Sequence, residues 1–201
     1  MAPEKQKYGG ILKMKNKTVV YFMRHGLDDE SFVGGWSNGN LTDEGKLQVE
    51  KSADFIVQNI KDINIIYHSG LNRTIETTNI INEKLKLPVF ENKDLRELNK
   101  GILNGMKVDL AKGIYPKYFP NPLINERYPN GESLQDLYER VIKFLDKIDN
   151  YDKSLLVTHR GFINMVYFIL NNINLNYNKT QFNVTHGSIH KLELKKIKRI
   201  Y

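Results

Sequence analysis

The stretch from Val19 to Gly26 constrains the fold of this chain most strongly, because a short apolar run in it ends directly at reactive side chains. The run Val19-Val20-Tyr21-Phe22-Met23 is too short to cross a membrane. Its length is typical of a strand buried on both faces of a parallel sheet. The strand stops at Arg24-His25-Gly26, so it delivers a cation and an imidazole to the carboxyl edge of the sheet, where open α/β folds bind their ligands.

Composition limits the classes of function that the chain can serve. Its 201 residues include no cysteine, which excludes disulfides, thiolate metal sites and cysteine nucleophiles. The N-terminal segment lacks the apolar core of a signal peptide, and the longest apolar run, Met165 to Leu170, is far too short for a membrane span. We therefore expect a cytoplasmic protein with no membrane partner.

The positive charge of the chain, formally +7, permits an anionic partner. The tight basic cluster from Lys191 to Arg199 also carries apolar residues. It fits a final strand with a solvated face better than a nucleic-acid interface. No nucleic-acid partner is therefore expected, and assembly into a homo-oligomer is left open.

The N-terminal residues 1–13 show no periodicity, and Met14 stands immediately before the first strand. We interpret residues 1–13 as a tail, either an extension or a remnant that is not native to the protein. Residues 14–201 have a length that is ordinary for one globular unit, so they are predicted to form a single domain.

The remaining elements alternate between helical and strand patterns. Thr42 is predicted to cap a helix over 43–59. The apolar residues expected on its core face are Leu47, Ala53, Ile56 and Ile60. Further helices are predicted over 71–85, 132–149 and 162–170, and further strands over 63–68, 88–90, 153–158, 181–184 and 188–194. This order predicts an α/β fold with a mainly parallel central sheet and helices on both faces.

Two irregular segments interrupt this alternation. A loop over 27–40 follows the first strand, and a longer insertion over 99–130 is rich in glycine, proline and aromatic residues. An insertion of that length is typical of a lid over a binding site. Its residues Tyr115, Tyr118 and Phe119 can stack on a flat substrate ring or fill a small core of the insertion itself, and the second use is favoured.

Two predicted strands end in the same way, at Arg24-His25-Gly26 and at His159-Arg160-Gly161. A third ends at His68-Ser69 and leads into a helix whose first turn contains Arg73, where a cation opposes the helix dipole. If these strands are parallel and adjacent, two imidazoles and two guanidiniums meet at one edge. Such a cluster lacks the carboxylates and cysteines that a divalent metal prefers, so we expect a phosphate group there and no metal.

These residues resemble, in order and spacing, the motifs of the histidine phosphatase superfamily, which is also called phosphoglycerate-mutase-like. The resemblance runs from Met14 to about Leu194. The matching motifs are Arg24-His25-Gly26, Leu41 to Gln48, Ser69 to Arg73, Leu95-Arg96-Glu97, Pro129 to Ser133 and Val157-Thr158-His159. The resemblance implies a three-layer α/β sandwich and a phosphatase that needs neither a metal nor another cofactor.

The resemblance also implies a role for each residue of the site. His25 would attack phosphorus as a neutral imidazole and carry a transient phosphoryl group. Arg24, Arg73 and His159 would hold the phosphoryl oxygens, and His159 would thereby also take part in catalysis. Glu97 would protonate the leaving oxygen and then activate the water that hydrolyses the phosphohistidine.

The residue pattern by itself does not single out Glu97, because Glu76, Glu91 and Glu126 are equally eligible. The chain also departs from the family in the loop Leu27-Asp28-Asp29-Glu30, where a glutamate and a threonine usually follow the glycine. The resemblance therefore assigns no phosphate contact to this loop. Arg160, which replaces a usual glycine, either contacts the substrate or caps the strand end on the outside.

A phosphomonoester hydrolase acting on a phosphorylated small molecule is the first interpretation of the sequence. A cofactor-dependent phosphoglycerate mutase is the nearest alternative, and a non-catalytic protein that binds a phosphorylated ligand is the second. The substrate stays open among sugar phosphates, nucleotides and ribazole phosphate, because the segments 27–40 and 99–130 contain no motif that identifies it.

Overall fold

The computed structural model of the protein describes residues 14–201, so the predicted tail over 1–13 lies outside the described residues. Its centre is a six-stranded sheet with the order β3-β2-β4-β1-β5-β6. The strands are β1 (Val19–Arg24), β2 (Ile65–His68), β3 (Val89–Glu91), β4 (Ser154–Thr158), β5 (Ile189–Glu193) and β6 (Lys196–Arg199). The first four strands run parallel, whereas β5 is antiparallel to β1 and β6 is antiparallel to β5.

Helices cover both faces of this sheet, which confirms the predicted fold class. They are α1 (Asp43–Asn59), α2 (Asn72–Leu85), α3 (Val108–Ile114), α4 (Leu134–Leu145) and α5 (Arg160–Leu170). Successive side chains of a strand point to opposite faces. Accordingly Val20 and Phe22 of β1 belong to the core beneath α4 and α5, and Tyr21 and Met23 belong to the core beneath α1 and α2.

The first helix starts where the sequence predicts, because Thr42 accepts a hydrogen bond from the amide of Gly45 and so caps the helix. The prediction that Leu47 faces the core is wrong, since its side chain is 58% exposed. The buried face of α1 runs through Gly45, Val49, Ser52, Ala53 and Ile56, and residue 47 lies on the far side of the helix at 3.6 residues per turn. Ile60, at the C-cap, is buried as expected.

The predicted strand over 181–184 is also wrong, because these residues form a turn followed by irregular chain. The carbonyl of Val184 instead accepts a hydrogen bond from the guanidinium of Arg24. The last strand is β6, which pairs with β5 through a tight turn at Leu194 and Lys195, both with positive φ. The predicted 132–149 helix is shorter in the structure, because Ser133 and Asp136 form a capping box and α4 ends at Leu145.

The insertion over 99–130 contains α3 and two short 3-10 turns, Gly101–Leu103 and Pro116–Tyr118. Two of its backbone amides bond to the loop after β1, Gly105 to the carbonyl of Val33 and Val108 to that of Ser31. The insertion therefore closes over the carboxyl edge of the sheet. No helix within residues 14–201 has the length and apolarity that crossing a bilayer requires.

Candidate active site

The predicted cluster lies at the carboxyl ends of β1, β4 and β2, which are neighbours in the sheet. Arg24 pairs in register with Thr158, so the residues that follow each strand meet. The rings of His25 and His159 are 5.1 Å apart between centroids. Arg73, from the first turn of α2, lies between them, with Nε 3.2 Å from Nε2 of His25 and Nη2 3.2 Å from Nδ1 of His159.

The hydrogen bonds of His25 define which of its two ring nitrogens carries the proton. Its Nδ1 lies 2.7 Å from the carbonyl oxygen of Gly26, and since a carbonyl only accepts, Nδ1 carries the proton. Nε2 therefore keeps its lone pair. The pKa of His25 lies well below its usual value, first because the ring is buried and then because of the positive charge of Arg73, so the ring is neutral at pH 7.

The glycine that follows His25 is required by close packing against α1. A Cβ at Gly26 would lie 2.5 Å from the carbonyl oxygen of Gly45 and 2.7 Å from Val49. The amide of Gly26 donates to the hydroxyl of Thr77 in α2. The Arg-His-Gly motif is thus held between α1 and α2.

The guanidinium of Arg73 is almost completely buried, at 2% exposure, and is fixed from several sides. It donates to the carbonyl oxygens of Gly35 and Ser37 in the loop after β1. Its Nε also lies 3.6 Å from a carboxylate oxygen of Asp28. A cation held this way is oriented before any substrate arrives.

Arg24 keeps one buried donor free. Its Nη1 donates to Val184 and its Nη2 contacts Nε2 of His186, but within residues 14–201 its buried Nε has no partner. Burial lowers the pKa of Arg24 to about 10, which leaves the group charged at pH 7. A buried charged donor without an acceptor is costly, so it points to an anion in the adjoining space.

His186 was not identified from the sequence, although its ring centroid is 5.7 Å from that of His25. It precedes β5, and because β5 is antiparallel to β1, the start of β5 lies at the same edge as the end of β1. Burial and the charge of Arg24 lower the pKa of His186 to about 3, so the ring is neutral. Only the antiparallel placement of β5 could have revealed it.

The tautomer of His159 follows from a chain of buried hydroxyl groups. Thr74 Oγ1 donates to the carbonyl of Leu71, so it can accept from Ser69 Oγ, 3.0 Å away. Ser69 Oγ in turn accepts from Nε2 of His159 at 2.8 Å. Nδ1 of His159 is then the nitrogen that accepts from Arg73, and burial keeps the pKa of the ring well below its usual value.

The carboxylate of Glu97 lies at the N-terminus of α5. One oxygen accepts from the amide of Gly161 and the other from the amide of Leu98, both at 2.9 Å. Glu97 lines the same cavity as His25. Glu76, Glu91 and Glu126 do not line it: Glu76 accepts from the amide of Leu41, Glu91 lies 3.8 Å from Arg96, and Glu126 pairs with Lys117.

Arg140 of α4, which was also missed, holds the backbone around Glu97. Its guanidinium donates to the carbonyl oxygens of Asp94, Arg96 and Glu97 and forms two bonds with the carboxylate of Glu132. The indole of Trp36 donates to the same Glu97 carbonyl. The acidic residue is therefore positioned by its backbone as well as by its side chain.

Arg24, His25, Arg73 and Glu97 line one cavity of about 750 Å³ beneath the 99–130 insertion, whereas His159 and His186 lie behind its wall. Tyr118 and Phe119 line it, whereas Tyr115 does not. All three pack against the main core of the protein and not only against a core of the insertion itself, which was the favoured expectation. Further charges on the wall come from Lys100, Arg160 and Lys179. Arg160 therefore faces the cavity and is not an outer cap.

Three potential metal ligands lie together at the edge of this cavity, since ring nitrogens of His25 and His186 and a carboxylate oxygen of Asp28 lie within 4.8 Å of one another. However, the guanidinium of Arg73 contacts His25 and Asp28, and that of Arg24 contacts His186. Two fixed cations beside the same atoms oppose the binding of a dication and favour an anion.

Comparison with known proteins agrees with this geometry. The model of the histidine phosphatase superfamily (branch 1) matches residues 20–199. Phosphoglycerate mutase-like protein 4 of Arabidopsis thaliana is 33% identical over 159 residues, covering 74% of this chain and 69% of the relative. Human 6-phosphofructo-2-kinase/fructose-2,6-bisphosphatase 3 is 28% identical over 159 residues, which are 75% of this chain and only 29% of that protein. The chain thus spans less than a third of the length of this bifunctional relative.

Solved structures show the same fold. A putative alpha-ribazole-5'-P phosphatase from Escherichia coli superposes with a TM-score of 0.76 at 19% identity, covering 92% of this chain and 95% of the other. A mycobacterial glucosyl-3-phosphoglycerate phosphatase gives a TM-score of 0.71 at 19% identity, with coverages of 90% and 95%. At this level of identity the similarity establishes the architecture and not the substrate.

Proposed function

Since the chain belongs to the histidine phosphatase superfamily, we propose that it is a phosphomonoester hydrolase that acts through a transient phosphohistidine on His25. One observation carries the proposal. A neutral imidazole, whose unprotonated Nε2 accepts a hydrogen bond from Arg73, lies in a cavity between two buried guanidiniums, those of Arg24 and Arg73. This combination provides a nucleophile and binds the charge of the group that it attacks.

In the first step, Arg24 and Arg73 bind the oxygens of the phosphoryl group, with the free Nε of Arg24 supplying one donor. Nε2 of His25 attacks phosphorus, and the bond from phosphorus to the ester oxygen breaks as the nitrogen–phosphorus bond forms. His159 acts on the same oxygens through Arg73, because its Nδ1 accepts from Nη2 of Arg73 at 3.2 Å and so helps to orient the guanidinium.

Glu97 acts as the general acid in the first step and as the general base in the second. It protonates the leaving alcohol and then, as a carboxylate, accepts a proton from the water that attacks the phosphohistidine. Its contacts with the amides of Gly161 and Leu98 keep the carboxyl group at the cavity wall. The products are an alcohol and inorganic phosphate, and His25 returns to its neutral state.

The substrate that fits this cavity is a phosphorylated small molecule with a second negative charge. The side chains of Lys100, Arg160 and Lys179 line the wall, and among residues 14–201 none of them forms a hydrogen bond or an ion pair. Burial and the charge of Lys179 lower the pKa of Lys100 to about 8. Grouped cations without partners in a cleft favour an anionic ligand.

The hydrolase is tested with a generic aryl phosphate in the presence of a metal chelator. Wild type should hydrolyse it at an unchanged rate and His25→Ala should not. His68→Ala is the matched control, because His68 also ends a strand but does not line the cavity. Chelator-sensitive hydrolysis, or an active His25→Ala variant, would contradict the mechanism.

The alternatives give different results in the same assays. A phosphoglycerate mutase would exchange phosphate between positions faster than it releases it, and would depend on a bisphosphate primer. A non-catalytic protein would bind the phosphate without turnover. The preference for a substrate with a second negative charge is tested with ω-hydroxyalkyl phosphates and alkanediyl bisphosphates of equal length. The bisphosphate should have the higher kcat/KM. Lys100→Met should reduce the ratio of the two kcat/KM values more than the exposed control Lys143→Met does.

A further inference from the structure

Asp28 stands beside the proposed nucleophile, at a position where the phosphoryl group itself must be bound. One of its carboxylate oxygens lies within 4.8 Å of a ring nitrogen of His25 and of one of His186. Arg73 Nε lies 3.6 Å from Oδ2 of Asp28 and 3.2 Å from Nε2 of His25. The shared contact with Arg73 places the carboxyl group on the reactive side of the imidazole.

The backbone of Asp28 is fixed in this position. Asp28 forms an isolated bridge with Leu41, at the start of the chain that leads into α1. Its side chain is only 15% exposed and lines the cavity. The backbone bridge and the burial of the side chain thus place the carboxyl group at the cavity wall.

A phosphoryl group on Nε2 of His25 would bring one of its oxygens between the ring and Asp28, at a hydrogen-bonding distance of about 2.5–3.0 Å. Two oxygens that both carry negative charge repel each other at that distance. A shared proton converts the contact into a short, charge-assisted hydrogen bond. A side chain at position 28 therefore needs to donate a hydrogen bond to the phosphoryl oxygen. A carboxyl group can do so only when it is protonated.

We propose that Asp28 binds the phosphoryl group in its protonated form, donating a hydrogen bond from its carboxyl O–H to a phosphoryl oxygen. The proton enters from solvent when a doubly charged tetrahedral anion binds, and it returns to solvent when phosphate leaves. This assignment rests on the proposed function, because it places the phosphoryl group on His25. It makes Asp28 a further catalytic residue of the site.

The surroundings of Asp28 support this assignment. The titratable and charged groups that face it are Arg73 from α2, Arg24 and His25 at the end of β1, His186 before β5, with Nε2 3.9 Å from Oδ1, and Glu30 in its own loop. Burial raises the pKa of Asp28 above its usual value, although the guanidiniums of Arg73 and Arg24 act in the opposite direction. A bound dianion offsets those guanidinium charges and so raises the pKa of Asp28 further.

Sulfate is a suitable probe, because it is a dianion that carries no proton of its own near pH 7. Its binding is measured by calorimetry at pH 7 in buffers of different ionisation enthalpy, which gives the number of protons taken up. Wild type should take up roughly one proton per sulfate. Asp28→Asn, which donates at every pH, should bind sulfate without this uptake, and its affinity should no longer fall as pH rises from 6 to 8.

Asp29→Asn is the matched control, because it removes the same charge from the adjacent, exposed residue and should keep the proton uptake. Asp28→Thr supplies a second variant with a donor that does not titrate. If wild type and Asp28→Asn took up equal numbers of protons, the proton would have to be assigned to a histidine, and the proposal would be overturned. Tighter sulfate binding by Asp28→Ala than by wild type would also overturn it, since it would show an ionised, repelling carboxylate.

The same experiment separates this proposal from the proposed function. Proton-linked sulfate binding that depends on Asp28, in a protein that hydrolyses no phosphomonoester, would overturn the hydrolase and support the role of Asp28 in anion binding. If wild type hydrolysed phosphomonoesters but took up no proton on binding sulfate, the result would support the proposed hydrolase and overturn the role of Asp28. Failure of wild type to bind sulfate at all would overturn the anion site and this proposal with it.

Discussion

Glu97 and Gly161 are in direct contact: an oxygen of the Glu97 carboxylate accepts from the Gly161 amide at 2.9 Å, and a Cβ added to Gly161 would lie 2.1 Å from the other oxygen. The glycine after His159-Arg160 is thus required by the acidic residue and not by its own backbone, which is helical. The two motifs, distant in sequence, form one structural unit at the N-terminus of α5.

Gly161→Ala should therefore impair catalysis more than folding. The added methyl group displaces the Glu97 carboxylate, and loss of a positioned general acid slows the reaction by about 10²–10⁴-fold. Substrates with good leaving groups need the acid less, so aryl phosphates should be affected less than alkyl phosphates in their kcat values. Thermal unfolding should change little, because alanine favours a helix over glycine.

Gly113→Ala provides the control for that substitution. Gly113 also lies in a helix, α3, and a Cβ there would meet no atom within 4 Å. Its kcat should equal that of wild type for both substrate classes. Equal slowing of alkyl and aryl phosphates by Gly161→Ala would show that Glu97 is not the acid.

Arg140→Lys should weaken both stability and catalysis, even though it conserves charge. The planar guanidinium of Arg140 serves three carbonyl oxygens and the Glu132 carboxylate at once, and an ammonium group cannot reproduce that geometry. We expect a loss of about 1–3 kcal/mol in the free energy of unfolding, measured by urea denaturation. The kcat on alkyl phosphates should fall with it, because Glu97 loses its backbone support.

Arg127→Lys is the control for this effect. Arg127 pairs with Asp136 on the surface, where its side chain is 69% exposed, and such pairs contribute roughly 0–1 kcal/mol. Its substitution should leave both unfolding and kcat unchanged. If Arg140→Lys behaved in the same way, the carbonyl contacts of Arg140 would not be what positions Glu97.

Ser69→Ala should destabilise the protein by leaving a buried donor without an acceptor. Among residues 14–201, Nε2 of His159 donates only to Ser69 Oγ, and both residues are fully buried. An unsatisfied buried group costs about 1–3 kcal/mol in the free energy of unfolding. Ser154→Ala is a sharp control, because the buried hydroxyl of Ser154 has no partner among residues 14–201. That substitution should be neutral or stabilising, and equal losses in the two variants would contradict the proton assignment of His159.

The sequence predicts those parts of the fold and site that depend on local patterns. The strand ends at Arg24 and Thr158 and the cap at Thr42 are set by short-range chemistry, and the parallel neighbours then bring His25, Arg73 and His159 together. Glu97 needed the family resemblance, because it lies after a short 3-10 turn and not after a strand.

The missed residues depend on long-range pairing that no local pattern contains. His186 reaches the site only because β5 is antiparallel to β1, and Arg140 acts from an ordinary amphipathic helix. The wrong strand over 181–184 has a related cause, since Val184 is buried but uses its carbonyl to hold Arg24. Burial alone does not distinguish a strand from an irregular segment packed on a site.

The stability of the protein should fall as pH is lowered from 6.5 to 5. Burial lowers the pKa of His190 to about 4 and that of His186 to about 3. Between these values and pH 6.5, the two rings are therefore protonated in the unfolded chain and neutral in the folded protein. The contribution of each ring is fully present above pH 6.5 and is lost as pH falls towards the folded value. Each such ring contributes a slope of about 1 kcal/mol per pH unit in this window.

His190 lies outside the candidate active site, so its share of the pH dependence of the free energy of unfolding can be measured separately. Its ring is fully buried between the hydroxyls of Tyr167 and Ser188, each at 2.9 Å. His190→Gln keeps a hydrogen-bonding side chain but cannot titrate, so it should lower the slope between pH 6 and 5 by about 1 kcal/mol per unit. His68→Gln should lower it less, since His68 is only half-buried and Glu91 opposes the drop in its pKa. Urea denaturation of the three proteins at each pH checks this, and an unchanged slope in His190→Gln would show that its ring is protonated in the folded state.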